Sequence, residues 1–367
     1  MKRKIMTLVM ALSMTVGLLA GCGSSQSVSK ADALSGDGKT LNIMIWGDTI
    51  SEDVISNFEK ENNIKVNVSY IDSTDSLLAK MVNSSENYDA ISIESAYVKT
   101  FVDAGLLRRI DKSKITSLDD YDPVYNKGFA GDEDMEYTVP ASGPIFTTVT
   151  YNKETCPIKI KSFKDLADPS LKGKIAMVNS TISLYGTALA ALGYKPDTTN
   201  EDEIKQANDL LEKIKKNVKT FSGTSATSQM ENGDVCVSFG WDYPTLCSMS
   251  EDNWTKFADA SLNSPVEESI GYMAIPKNAE NVDGALKFIN YIIAPESQAA
   301  SAKEFGGMPA TSQEKTEKYL PNGYYDNPAM KENHDLASDS SKYWQISIND
   351  DQISILDNYY TELMADK

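Results

Sequence analysis

The sequence predicts an α/β protein built on a mainly parallel sheet, and three observations predict it. From residue 41 onward, short β-favouring runs alternate with amphipathic helical stretches, the order that builds βαβ units with right-handed crossovers. The body from 41 to 367 is long enough for two domains. Two apolar runs end alike, Ile45-Trp46-Gly47-Asp48 and Phe239-Gly240-Trp241-Asp242. Ligands in open α/β sheets sit beyond the carboxyl ends of strands, so each run would deliver a ring and an acid to a ligand.

Residues 1–21 read as an export leader. Lys2, Arg3 and Lys4 precede an apolar run from 5 to 18, shorter than a usual membrane span. The run ends in Leu19-Ala20-Gly21-Cys22, which resembles the bacterial lipobox, with Cys22 the residue that would be lipidated. Residues 22–40 are small and polar and cannot bury enough surface to fold, so a flexible tether is expected there. The expected location is outside the cytoplasm, lipid-anchored to the cell membrane.

The elements follow in order. Residues 41–46 form a strand, and 51–62 a helix capped by Ser51 with Val54, Ile55 and Phe58 on one face. A second strand spans 65–70, a helix 73–83, a third strand 89–93, and a helix 98–104 that stops at Gly105. Runs 137–140 and 146–152 read as strands, 162–166 as a short helix and 174–178 as a strand. Helices follow over 183–192, closed by Gly193, and 201–216. Then come an extended run 218–221, a helix 227–232, a strand 236–241 and a strand 271–276. Helices over 282–293, 296–305 and 350–364 complete the chain.

Composition excludes several functions. The formal charge is −18, and more negative once the three leader cations are removed, which argues against nucleic acid as a partner. Beyond Cys22 there are three cysteines, so at most one disulfide can form within the body. Cys236 and Cys247 are the nearer pair in sequence, and the spacings fit no zinc pattern. The one histidine, His334, leaves little for histidine-based catalysis, and no Gly-x-Ser-x-Gly elbow or Walker motif occurs. No cofactor is expected.

A set of short matches in order then carries a resemblance. Besides Ile45-Trp46-Gly47-Asp48 they include Phe58-Glu59-Lys60-Glu61, Gly105-Leu106-Leu107, Leu171-Lys172-Gly173-Lys174, Met230-Glu231-Asn232-Gly233-Asp234, Ala274-Ile275-Pro276-Lys277-Asn278 and Trp344-Gln345. Together they span most of the body. The chain resembles the spermidine/putrescine-binding subunits of polyamine ABC importers, within the bilobal bacterial extracellular solute-binding proteins. The resemblance implies a periplasmic-binding-protein-like fold of two α/β lobes with a ligand cleft and hinge. One lobe would be 41–147 plus 273–321, and the other 148–272 plus 322–367. It also implies a monomer that captures a small cationic solute, closes on it and hands it to a membrane permease driven by a separate ATPase subunit.

The same resemblance sets the candidate residues. Trp46 and Trp241 stand at aromatic wall positions, Asp48 in place of a ligand-binding Glu, and Gln345 at a position that hydrogen-bonds ligand. Departures are plain: Ser180 and Ser183 replace a pair of acids, Thr49 and Ala96 replace aromatics, and Ser269 and Gly271 replace a Trp and an Asp. New acids stand nearby: Glu94, Asp242, Glu267 and Glu268. The expected ligand-binding set is Trp46, Asp48, Thr49, Glu94, Ser180, Ser183, Trp241, Asp242 and Gln345. Each has a plainer reading: Trp46 as core, Glu94 as a solvated loop acid, and Ser180 with Ser183 as helix-cap residues. A different solute, such as an amino acid, a sugar, a phosphonate or another anion, stays open, because serines at a helix N-terminus suit anions. A secreted hydrolase is the remaining alternative.

Overall fold

The computed structural model describes residues 39–71, 74–83, 87–129, 131–222, 226–260, 262–345 and 350–365. The leader, Cys22 and nearly all of the tether lie outside the described residues.

Two sheets organise the fold. The first contains β1 (Thr40–Ile45), β2 (Lys65–Tyr70), β3 (Ala90–Glu94), β4 (Thr138–Pro140) and β11 (Gly271–Ala274), in the order β2-β1-β3-β11-β4. The second contains β5 (Ile145–Asn152), β6 (Ile175–Val178), β7 (Val218–Ser222), β8 (Val237–Gly240), β9 (Phe257–Asp259), β10 (Val266–Ser269) and β12 (Tyr343–Gln345). Its order is β12-β10-β5-β8-β6-β7, with β9 against β5. The parallel β2-β1-β3 trio is the expected βαβ series. β11 and β4 join it antiparallel, and the second sheet is mixed because β5 runs against β8, β9 and β10.

β1 forms because both its faces are covered. Leu41, Ile43 and Ile45 enter one apolar cluster and Met44 another, so the strand reads as a continuous apolar run. The helix Glu52–Asn62 begins where Ser51 Oγ accepts the Val54 amide at 3.3 Å, and Phe58 meets Phe288 edge-on at 5.1 Å. Asp89, buried just before β3, ties the sheet together. Its Oδ2 accepts the Asn42 amide at 2.9 Å, and Oδ1 accepts the amides of Glu280 and Asn281 at 3.0 and 2.7 Å. Asn281 in turn caps the helix Val282–Ile292 and donates to Thr40 O.

Three strands were not expected: β9, β10 and β12, together with the helices Asp242–Met249 and Pro328–Ala337. β10 reads Val-Glu-Glu-Ser, without apolar alternation; pairing with β5 and β12 imposes the strand. The strand expected to reach Trp241 ends at Gly240, and Asp242 opens a helix instead of ending a strand.

Cys156, Cys236 and Cys247 are free thiols. The neighbour of Cys236 is Cys156 rather than Cys247, whose own partner is Tyr243. The hydrogen bond from Cys236, helped by the Ile158 main chain and Lys174, lowers the half-buried Cys156 thiol to about 7 against the effect of burial. Burial first pushes Cys247 up to about 12.

Asp89→Ala leaves three amides unpaired and lowers the unfolding free energy by about 3 kcal/mol; a urea midpoint unchanged from wild type would contradict this. Because thiolate is the reactive form, iodoacetamide labels Cys156 with a half-maximal rate near pH 7 while Cys236 and Cys247 stay slow. Peptide mass spectrometry reads this directly, and equal labelling of the three thiols at neutral pH would refute it.

Candidate functional site

The strand ends of the first sheet present the first group of side chains. Trp46 follows β1, half-buried, and packs with the cluster that holds Met44, Ile71, Ile93 and Ile270. Its indole Nε1 is buried without a hydrogen-bond partner among the described residues. Thr49 Oγ1 donates to Trp46 O at 3.0 Å, closing the turn, while Asp48 is exposed. Glu94 ends β3 in register with Gly271, and the parallel β1–β3 register sets Trp46 beside that end. Next to it the chain passes between sheets: the Ser95 amide donates to Ile270 O at 2.8 Å, and the Ile270 amide donates to Ser95 Oγ at 3.2 Å.

The second sheet supplies the rest. Ser180 caps the helix Thr181–Leu192, its Oγ accepting from the Ser183 amide at 3.2 Å and from Ser183 Oγ at 2.9 Å. Trp241 is half-buried against the second sheet's core. Asp242 is buried, and its Oδ1 accepts the Ala226 amide at 2.6 Å. Its carboxylate therefore anchors a neighbouring helix start. Gln345, on β12, donates from Nε2 to Glu268 Oε2 at 2.8 Å.

The strongest feature is the acid pair on β10, left outside the expected set. Successive strand residues face opposite sides, so Glu267 and Glu268 meet different surroundings. Glu268, fully buried, takes Lys127 Nζ at 2.8 Å. Glu267 is 3% exposed, opposite Thr147 and Trp344 in register, and its Oε2 is without a partner among the described residues. Burial foremost pushes its carboxyl up to about 7; the charge of Glu94 adds to this, and hydrogen bonds with Ser183 and Thr147 oppose it. The outer edge of the Trp344 ring abuts Gly186 of the Thr181–Leu192 helix, where a Cβ would fall 2.4 Å from the ring. Buried Trp344 Nε1 and Thr187 Oγ1 also lack partners among the described residues.

The structure thus brings Glu94 and Ser183 into electrostatic reach of Glu267. It places Trp46 at the adjoining strand end, sets Gln345 on Glu268, leaves Asp48 in solvent and commits Asp242 to a main-chain amide. Buried acids at strand ends, with partnerless polar atoms and indole rings beside them, suit a small solute that carries hydrogen-bond donors and positive charge.

Comparison with known proteins places these features in a family context. A family model described as bacterial extracellular solute-binding protein matches residues 53–332. The spermidine/putrescine-binding periplasmic protein 1 of Haemophilus influenzae is 28% identical over 368 residues, covering 97% of each chain. The putrescine-binding periplasmic protein SpuD of Pseudomonas aeruginosa is 30% identical over 289 residues, 73% of this chain and 77% of its own. A solved chain from Listeria monocytogenes, described as a spermidine/putrescine ABC transporter, superposes with a TM-score of 0.77 at 26% identity. It covers 90% of this chain and 100% of its own.

Glu267 makes stability depend on pH. Its folded value of about 7 lies above the ordinary 4.5, so between those values the folded chain holds a proton that the unfolded chain has released. Its contribution is most favourable at or below the ordinary value and declines as pH rises through the folded value. Glu267→Gln should therefore stabilise the protein more at pH 8 than at pH 5, by up to about 3 kcal/mol. Urea unfolding at the two pH values measures the difference, and an equal effect at both would refute the assignment.

Proposed function

The chain belongs to the bacterial extracellular solute-binding proteins, and from that premise we propose that it is the capture subunit of an ABC importer for a small cationic solute, a polyamine first. Its relatives bind spermidine and putrescine by name. In this reading residues 22–40 tether the body to the membrane through Cys22. The first lobe is 41–147 with 273–321, the second is 148–272 with 322–367, and the solute lies between them. Crossings at 141–144 and Ile270 act as hinge segments. Closure draws on the solute's greater affinity for the closed form, and a permease with its own ATPase completes import.

The observation that carries the reading is Glu267 Oε2, a buried carboxylate oxygen with no partner among the described residues. An ammonium donor would satisfy it and hold it ionised, offsetting the desolvation that raises its pKa. Trp46, half-buried beside the end of β3, offers a ring face to methylenes or to positive charge. The serines at the start of Thr181–Leu192 favour an anion by themselves, but Ser183 is already hydrogen-bonded to Glu267, whose ionisation a nearby anion would oppose further. That works against an anionic solute.

A solute that binds only the folded form raises its melting temperature. Spermidine or putrescine at millimolar concentration should raise Tm, amino acids, sugars and phosphonates should not, and Trp46→Ala should remove the polyamine response. The absence of a shift with either polyamine would sink the ligand assignment while leaving the family intact.

A further inference from the structure

Lys127 and its surroundings form a second, complete ammonium site. Lys127 Nζ donates to Glu268 Oε1 at 2.8 Å and to Tyr343 OH at 3.0 Å, and lies 4.6 Å from the centre of the Tyr343 ring. Glu268 has no exposed side-chain surface, and its other oxygen is held by Gln345 Nε2 at 2.8 Å. A fully buried carboxylate, an aromatic face and an amide that orients the carboxylate are what recognition of a primary ammonium requires. The lysine comes from the other sheet's side: Tyr272 of β11 donates to Lys127 O at 2.9 Å. Its loop is tightly set, since a Cβ on Gly128 would fall 2.3 Å from the Asp132 and Glu133 carbonyl oxygens.

We propose that Lys127 fills, from within the chain, a primary-ammonium subsite made by Glu268, Tyr343 and Gln345, which an external primary ammonium takes when the lysine side chain is shortened. Glu267 lies on the opposite face of β10 and belongs to the separate site described above. The subsite does not rest on the polyamine reading.

The test is chemical rescue of Lys127→Ala, which removes the equivalent of n-propylammonium from the site. Adding n-propylammonium chloride should raise Tm of that variant by several degrees over tetramethylammonium chloride at equal ionic strength. Wild type and the double variant Lys127→Ala/Glu268→Gln should show no such difference. If Lys127→Ala fails to fold alone, n-propylammonium must restore its far-UV circular dichroism. No rescue, an equal response in wild type, or an equal response without Glu268 overturns the subsite. If neither polyamine binds wild type, the polyamine reading has failed, and the rescue still decides the subsite.

Discussion

One buried carboxylate fixes most of the geometry described above. Asp89 accepts amides from β1 and from the segment that follows β11, so it joins the start of the first sheet to a stretch more than two hundred residues later. A carboxylate is tolerated at such depth only when donors surround it, and that requirement sets where β3 and the returning chain lie. With β3 and β11 placed, Gly271 stands opposite Glu94. Ile270 must then cross beside Ser95, and Ser269, Glu268 and Glu267 follow into the second sheet. The site is thus positioned in part by a structural acid at the opposite end of β3 from Glu94.

The parts of this fold legible in the sequence are those where local and tertiary preferences agree. The β1 to β3 series was readable because β1 is a near-continuous apolar run, β2 and β3 alternate, and the helices carry caps such as Ser51. Serines 180 and 183 were readable in their plainer role, as the start of a helix. β10 was not readable: two adjacent acids contradict strand propensity, and only pairing on both edges holds them there. For the same reason Glu267 and Glu268 were noticed as acids but not as site residues. Lys127 gave no signal, since a lysine in a polar loop looks solvated until the fold sets it against Glu268. Trp241-Asp242 misled in a different way. The resemblance to Trp46-Gly47-Asp48 is in composition, yet one acid follows a strand into solvent while the other starts a helix and holds Ala226.

Charge in the site is arranged by side, not by amount. The chain is strongly acidic, but a surface carboxylate contributes little specificity because water screens it. What distinguishes the strand-end acids is burial. Glu268 is balanced by a lysine and an amide, whereas Glu267 retains an open oxygen beside a helix start. Burial on its own makes the charged form costly, and a cationic donor relieves that cost only where a lone pair is free. Two neighbouring residues of the same type therefore have different chemistry because the pleat turns them to different partners.

Gly186 and Trp344 have a consequence for descent. With Trp344 against the helix, position 186 has no room for even a methyl group. A side chain at 186 therefore requires the Trp344 ring to shift or to be shortened. A lineage that shortens the side chain at 344 opens 186 to alanine and larger residues, and in doing so reshapes the wall behind Glu267.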